Sequence, residues 1–239
     1  MIAVNQIPYS TPGQWWFALG FPFLTLVALG IDSPAFMQAY FDGRMVANAM
    51  SVAYFLGMFW AAGGTLKKLM LIMVPLSYIG ELIFCKLLHM YDYRGGAIPL
   101  YVPVGHAVIY ASGYIYAHTR WAKAQQQHFG LFFAVFFTLL FLYVGIFLND
   151  IFSVISGVLF FLLLRRKRWQ HVYCFIALCV IFIEMAGTML KCWAWEPKMF
   201  GILSTANPPM GAVFFYAGGD VLLAKIVDIW EKKKLKKIG

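Results

Sequence analysis

Three carboxyl side chains lie inside long apolar segments of the sequence: Glu81, Glu184 and Asp220. An acid at the centre of an apolar span costs about 2.5–3.5 kcal/mol to insert, so each one must be paired, protonated or in contact with water. A carboxyl group that an apolar pocket keeps neutral can act as a general acid, and an ionised neighbour can act as a base. We therefore predict that these three residues are the catalytic acid and base.

Helical spacing predicts which side chains lie near these acids. His106 and Tyr110 are four residues apart, as are Tyr216 and Asp220, so each pair shares a helix face. We expect four helices to meet around one pocket, with His106 as a further catalytic residue that orients substrate or water. The predicted substrate-binding residues are Tyr93, Tyr110, Trp193, Trp195, Asn207 and Tyr216. Asn207 could instead cap the eighth helix through its side-chain oxygen.

A purely structural interpretation of the glutamates stays open at this point. Glu184 could form an ion pair with Lys191, and Glu81 could form one with Lys86 or Arg94. Intramembrane carboxyl groups are more often functional, which favours the pocket.

The composition places these residues in a membrane. Of the 239 residues, 62% are hydrophobic and 12% are charged, whereas soluble domains carry about 25% charged residues. The apolar runs are continuous rather than alternating, which favours helices over a β-barrel. We predict an all-α polytopic transmembrane helical bundle that forms a single integral membrane domain over residues 1–239. Its eight predicted spans are 14–31, 46–63, 68–90, 99–119, 128–148, 150–165, 171–193 and 210–230.

Lysine and arginine residues in short loops predict the orientation of the bundle. With eight spans, the cations near residues 67, 120 and 165 and those of the tail 231–237 fall on one side, which we assign to the cytoplasm. Both termini are then cytoplasmic, and the predicted location is a bacterial inner (plasma) membrane. We expect the basic tail to lie on anionic lipid. The net charge of +9 follows from this topology and predicts no nucleic-acid partner, while the oligomeric state stays open.

Two segments repeat the same order of features. Residues 80–114 and 183–220 each contain an embedded glutamate, then an aromatic-x-aromatic triplet (91–93 or 193–195), then a Pro-x-Gly at the start of the next span. A tyrosine follows each of these glycines by five residues, Tyr110 in the first segment and Tyr216 in the second. This order predicts two parallel four-helix repeats, about 14–119 and 128–230, related by an axis along the membrane normal.

The sequence predicts neither a cofactor nor a metal. Of the five histidines, only His89 and His106 fall on the outer side, and no HxxxH or ExxH pair occurs, so a zinc or di-iron site is poorly supported. Phosphate-binding and serine-hydrolase motifs are absent from the sequence. The four cysteines show no CxxC spacing, and we expect them to pack as small apolar side chains.

Several of these features resemble the membrane carotenoid hydratases. They are the glutamate of the third span, the triplets at 91–93 and 193–195, the Pro-Leu-x-Val-Pro of 99–103, and Asn207. The resemblance lies within residues 80–114 and 183–220, and it implies a polytopic fold and the addition of water to a terminal isoprenoid double bond. Two positions depart from the pattern: His106 stands in place of a tryptophan, and Pro208 follows Asn207 in place of a phenylalanine.

The leading hypothesis is a membrane-embedded acid–base enzyme, a lyase (hydratase) or an isomerase. It would hydrate, isomerise or cyclise an alkene of a lipid or isoprenoid substrate, working from the outer half of the bilayer. A small proton-coupled transporter is one alternative, because embedded acids and a parallel repeat also suit that function. A non-catalytic subunit of a membrane complex is the other.

Overall fold

The computed structural model describes residues 9–165 and 170–235 of the chain. The α-helices in these ranges are α1 (Pro12–Asp32), α2 (Pro34–Ala39), α3 (Arg44–Ala61), α4 (Gly64–Glu81), α5 (Tyr101–Ala117), α6 (Arg120–Ala124), α7 (Gln126–Phe147), α8 (Ile151–Leu164), α9 (Gln170–Met189) and α10 (Ala212–Leu235). A π-helical segment, Leu82–Leu87, continues α4. Short strands β1 (Tyr91–Tyr93) and β2 (Trp193–Trp195) pair antiparallel, as do β3 (Lys198–Met199) and β4 (Leu203–Ser204). The chain is mostly helical, as predicted. The two ladders were not predicted, because their strands are too short to show an alternating pattern.

The longer helices coincide with the eight predicted spans. Among the described residues, four helices are long and apolar enough to cross a membrane: 12–32, 64–87, 126–147 and 170–189. This makes the chain a helical membrane protein. Helix α8 is apolar but has only 14 residues, in keeping with the short sixth run of the sequence. The number of crossings beyond these four stays a prediction.

Local sequence signals determine where several helices begin. Thr11 and Gln14 form a reciprocal capping box at the start of α1, and Pro12 occupies its first position. Asp150 caps α8, because its side chain accepts a hydrogen bond of 2.8 Å from the N–H of Ser153. Only residues 148–150 separate α7 from α8, so these two helices form a tight hairpin.

Helix α5 lies at the centre of the bundle. It packs against α1, α3, α4 and α9, and most of its side chains are buried. Gly113 permits the close approach of α9, since a Cβ at this position would overlap the backbone of Ile176. Small residues at helix crossings serve this purpose in membrane bundles, where close packing replaces the hydrophobic effect.

Most helix pairs of the first half of the chain recur in the second half, although within the described residues the α1–α5 contact has no comparable counterpart between α7 and α10. The α1–α3, α3–α5 and α4–α5 contacts correspond to α7–α8, α8–α10 and α9–α10, and α4–α10 corresponds to α9–α5. The N–H of Tyr101 donates to Asn48 Oδ1 (2.9 Å), and the N–H of Gly211 donates to Ser153 Oγ (2.8 Å). Helices α3 and α8 thus make the same kind of contact at the beginnings of α5 and α10. These matched contacts support the predicted repeat.

Polar contacts tie the helices together at the end of the bundle where α4 begins. Lys68 pairs with Glu231 of α10 at 2.8 Å, and Ser10 Oγ donates to the carbonyl of Ile115 at 2.7 Å. The predicted cytoplasmic cations at 67, 68, 120, 123 and 165 flank helix ends on this side. Residues 1–8, 166–169 and 236–239 lie outside the described residues, and with them the N-terminus, most of the 165–168 cluster and the end of the basic tail.

A buried ion cluster ties the opposite end of the bundle. Asp32, at the end of α1, is completely buried. Its carboxylate accepts hydrogen bonds from Arg44 Nε (3.0 Å), a guanidinium nitrogen of Arg94 (2.6 Å) and Tyr101 Oη (2.8 Å). One side chain thereby joins α1, α3, α5 and the segment after β1.

We expect Asp32→Ala to lower the free energy of unfolding by about 3–5 kcal/mol, because it leaves two partly buried guanidinium groups without their shared carboxylate. The measurement is denaturant-induced unfolding of the purified protein in detergent. The control is Lys68→Ala, which removes a partly exposed ion pair and should cost less than about 1 kcal/mol. Equal losses in the two variants would contradict this account of the Asp32 cluster.

His118 follows the end of α5 and makes stability depend on pH. Its Nδ1–H donates to the carbonyl of Tyr114 (2.7 Å), and burial lowers the pKa of His118 from 6.5 to about 4. Between these two values the unfolded chain binds more protons than the folded one, so the free energy of unfolding falls as the pH falls from 6.5 to about 4. In His118→Gln we expect a smaller fall, measured as unfolding midpoints near pH 7 and near pH 5. A variant with the same pH dependence as the parent protein would argue against this role.

Candidate functional site

The β1–β2 ladder carries four aromatic side chains on one face. Tyr91 pairs with Trp195 and Tyr93 pairs with Trp193, with ring centroids 4.6 Å and 6.0 Å apart. Alternate residues of a strand point to the same side, so each aromatic-x-aromatic triplet places both of its rings on that face. The strands follow the π-helical segment and α9, respectively, and bring the two halves of the chain together above the helices that carry the glutamates.

Glu81, the last residue of α4, accepts hydrogen bonds from side chains of the same half. Its Oε2 accepts from Tyr91 Oη and Tyr93 Oη, both at 2.9 Å. Its Oε1 lies 3.2 Å from His106 Nε2 on α5. Only 3% of Glu81 is exposed, so these three groups replace the water that the carboxyl group would otherwise bind.

Glu184, on α9, is held in a matching way by the second half. Its Oε2 accepts from the indole N–H groups of Trp193 (2.9 Å) and Trp195 (3.0 Å). Its Oε1 accepts from Tyr216 Oη on α10 at 3.0 Å. Exposure of Glu184 is 5%, close to that of Glu81.

The two carboxyl groups are linked through a pair of stacked rings. The rings of His106 and Tyr216 are 4.9 Å apart and nearly parallel, with an angle of 9° between their planes. Each ring contacts the Oε1 atom of one glutamate, His106 that of Glu81 and Tyr216 that of Glu184. The arrangement therefore runs continuously from one glutamate to the other across the boundary between the halves.

Both glutamates line a cavity of about 450 Å³. His106, Tyr216 and the four ladder aromatics line it too, and most of the remaining lining is apolar. Asp220 of α10 also faces this cavity, and its Oδ2 atom is buried without a hydrogen-bond partner. The described lining residues include no lysine or arginine. An ionised Asp220 would lack any compensating charge there, so the neutral acid is the form that these surroundings favour.

The cavity reaches the apolar outer surface of the bundle. Ile79 and Ile83 of the α4 segment and Leu222 of α10 line the cavity and are also 40–53% exposed. Gly218 and Gly219 lie beside them on α10, where an added Cβ would meet no atom within 4 Å. One side of the cavity therefore lies at the apolar surface of the bundle, beside the α4 segment and α10.

The structure brings together eight of the predicted site residues: Glu81, Glu184, Asp220, His106, Tyr93, Trp193, Trp195 and Tyr216. Tyr110 and Asn207 are not among the residues that line the cavity, so their predicted contact with substrate gains no support and stays a prediction. Tyr110 is 1% exposed and packs in the bundle core. Asn207 Oδ1 accepts a hydrogen bond from the N–H of Trp195 (3.2 Å), and α10 begins only at Ala212, so Asn207 supports the ladder rather than capping the helix.

The matching residues also correct the alignment of the repeat. The sequence pairs Tyr110 with Tyr216, whereas the contacts pair His106 with Tyr216, because α5 and α10 turn different positions toward the cavity. Tyr91 was not among the predicted site residues, although it donates to Glu81. The match between the two aromatic-x-aromatic triplets was the signal that could have identified it.

The ion-pair interpretation of the glutamates is wrong. The ammonium group of Lys86 donates to the carbonyl of Gly96, and Arg94 pairs with Asp32 and Asp42. Lys191 lies beyond the end of α9, and in the described part of the chain no lysine or arginine pairs with either glutamate. Within the same residues, no group of three or more His, Cys, Asp and Glu side chains is arranged to hold a metal ion.

Comparisons with known proteins add no further constraint. No protein-family model, no curated protein and no solved structure matches the chain. The class of protein is therefore defined by its own fold and site: a helical membrane protein with two hydrogen-bonded carboxyl groups in an apolar cavity. The resemblance to the carotenoid hydratases stays a prediction.

Gly187 makes room for the indole of Trp193, because a Cβ at position 187 would overlap that ring. We expect Gly187→Ala to displace the ring and to weaken its hydrogen bond to Glu184, with a loss of about 1–3 kcal/mol in the free energy of unfolding. Tryptophan fluorescence and denaturant-induced unfolding in detergent measure the two effects. Gly130→Ala on α7 is the control, because an added Cβ there meets no atom within 4 Å. Identical spectra and stabilities for the two variants would refute the packing role of Gly187.

Proposed function

We propose that the chain is a membrane-embedded acid–base enzyme that transfers protons to and from a carbon–carbon double bond of an apolar, isoprenoid-like lipid. The observation that carries the proposal is the convergence of Glu81 and Glu184 on one apolar cavity without a lysine or arginine in its described lining. Carboxyl groups kept for structural ion pairing would have basic partners there.

The surroundings of the glutamates suit an alkene substrate. An alkene is a weak base, so its protonation requires an acid held out of water close to the double bond. The carbocation that forms is stabilised by the faces of aromatic rings, and the β1–β2 ladder presents four of them to the cavity. A cavity of about 450 Å³ lies within the range of sites for small molecules.

The chemistry balances as an addition of water. The O–H bond of a protonated carboxyl group breaks, and its proton forms a C–H bond with the π electrons of the alkene, which leaves the positive charge on the neighbouring carbon. Water bonds to that carbon and gives one of its protons back to the carboxylate. If the carbocation instead loses a proton from an adjacent carbon to the carboxylate, the product is an isomerised alkene. Attack by a second double bond closes a ring and leaves a new carbocation, which loses a proton to the carboxylate in the same way.

The apolar side of the cavity, beside the α4 segment and α10, supports a lipid substrate. Exposed apolar residues line it, so a molecule dissolved in the bilayer reaches the acids without crossing water. The positive-inside pattern supports cytoplasmic termini, and with them a position of the glutamates in the outer half of the membrane. A bacterial inner membrane and a bundle of eight crossings are parts of the same proposal.

The test is deuterium transfer from solvent to lipid. The full chain is reconstituted in liposomes in D₂O with one of three acyclic probes: squalene, an acyclic carotene or a polyprenol. We expect deuterium in at least one probe by mass spectrometry. Glu81→Gln and Glu184→Gln should lower the rate at least about 100-fold, because general acid–base catalysis contributes 10²–10⁴-fold.

The matched control is Glu231→Gln, which removes a carboxylate at the far end of the bundle and should leave the rate unchanged. A rate that is unaffected by both cavity substitutions would exclude the enzyme proposal. Proton-driven solute uptake without deuterium in any of the three lipids would favour the transporter. Activity that appears only after a second protein is added would favour a complex subunit.

A further inference from the structure

We propose that Glu81 and Glu184 together hold one proton in the resting protein, that Glu81 carries it, and that Glu184 stays ionised. The catalytic roles of the two glutamates, one as acid and one as anion, rest on the proposed function. The position of the proton itself is a property of the resting protein and is measurable without a substrate.

The surroundings favour a single shared proton. Two ionised carboxylates in one apolar cavity repel each other, and the described lining residues contain no lysine or arginine to offset that repulsion. The ionisable groups that face the pair are Asp220 and His106, together with the phenols that donate to the glutamates. Such a pair binds one proton as a unit, and its local contacts decide which member holds it. Burial does not separate the two glutamates, since they are 3% and 5% exposed.

The hydrogen-bond donors of Glu184 favour the ionised form. An indole N–H can donate but cannot accept, so Oε2 always faces two donors, from Trp193 and Trp195. A proton on Glu184 is compatible only with Oε1, and it would require Tyr216 Oη to accept and to direct its own hydrogen away. Donors that cannot reverse stabilise a carboxylate and oppose its protonation.

The partners of Glu81 allow the neutral form on either oxygen. A phenol hydroxyl both donates and accepts, so Tyr91 or Tyr93 can receive a hydrogen bond from a proton on Oε2 while the other still donates. The Nε2 atom of a neutral His106 can accept from a proton on Oε1. Each partner reverses by rotating a hydroxyl group or changing an imidazole tautomer, and no heavy atom needs to move.

The difference between the two donor sets gives the glutamates different roles. When Glu81 transfers its proton to the alkene, Tyr91 and Tyr93 can both donate to the carboxylate that forms, which stabilises it. The positive charge that develops on the substrate is then attracted to the permanent charge of Glu184 across the stacked rings. Water that adds to the carbocation returns its proton to Glu81, and the resting state is restored.

Infrared spectroscopy of the full chain in detergent tests the assignment. The carbonyl stretch of a protonated carboxyl group shifts on exchange from H₂O to D₂O, so a difference spectrum isolates it. Asp220→Asn serves as the background, because Asp220 would contribute a band of its own. We expect one remaining carboxyl band, which the further double substitution of both glutamates to glutamine removes.

Single substitutions of the donors then locate the proton. Tyr93→Phe should move the band to higher frequency, since the protonated group loses one hydrogen bond, and Trp193→Phe should leave it in place. The same outcome is expected from Tyr91→Phe and Trp195→Phe, which form a second pair if one variant fails to give a monodisperse protein. A band that moves only in the tryptophan variants would place the proton on Glu184 and overturn the proposal.

The absence of a band in the Asp220→Asn background would also overturn the proposal, since the proton would then lie on His106 or be missing from the pair. Neither of these infrared results changes what the deuterium assay shows. Deuterium transfer with the wrong band assignment keeps the proposed function and rejects the roles of the two glutamates. The expected bands without deuterium transfer would keep the assignment of the proton and argue against the proposed function.

Discussion

Two carboxyl groups buried in an apolar cavity impose the constraint on which the rest of the structure depends. The described lining contains no lysine or arginine, and the two glutamates are only 3% and 5% exposed, so neighbouring side chains must supply most of their hydrogen bonds. The β1–β2 ladder meets this need because its alternation puts two donors from each strand on one face. The third hydrogen-bond partner of each glutamate comes from α5 or α10. The two halves of the chain therefore meet at the carboxyl groups, and the helices that carry them are fixed relative to the ladder.

Contacts farther from the cavity hold the ladder in place. Arg94 follows β1 and is bound by the buried Asp32, while Asn207 accepts from the backbone of Trp195 in β2. Gly187 leaves space for the indole that reaches Glu184. A two-stranded ladder with three residues in each strand has little stability of its own, so the geometry of the β1–β2 ladder depends on these contacts with the bundle. These contacts fix the positions of the four aromatic side chains of the ladder.

The two glutamates occupy equivalent positions in the two halves but have different hydrogen-bond partners. Equivalent helix pairs put Glu81 and Glu184 in equivalent positions, each with two donors on Oε2 and one hydrogen-bond partner on Oε1. The donor types differ, with phenols and an imidazole in one half and indoles and a phenol in the other. The matched helix pairs thus set equivalent positions, and a few different side chains give each carboxyl group a different set of hydrogen-bond partners.

The amino-acid sequence was sufficient to predict the helices and most residues of the cavity. Continuous apolar runs predict helices, and polar side chains within them are costly enough to indicate a site, which is why Glu81, Glu184 and Asp220 were found together. The three-dimensional contacts were needed to show that Tyr110 is core, that Asn207 supports the ladder and that Tyr91 binds Glu81. These outcomes depend on the rotation of each helix and on the pairing of strands about a hundred residues apart. Local spacing carries no information on either, because both are set by packing between distant parts of the chain.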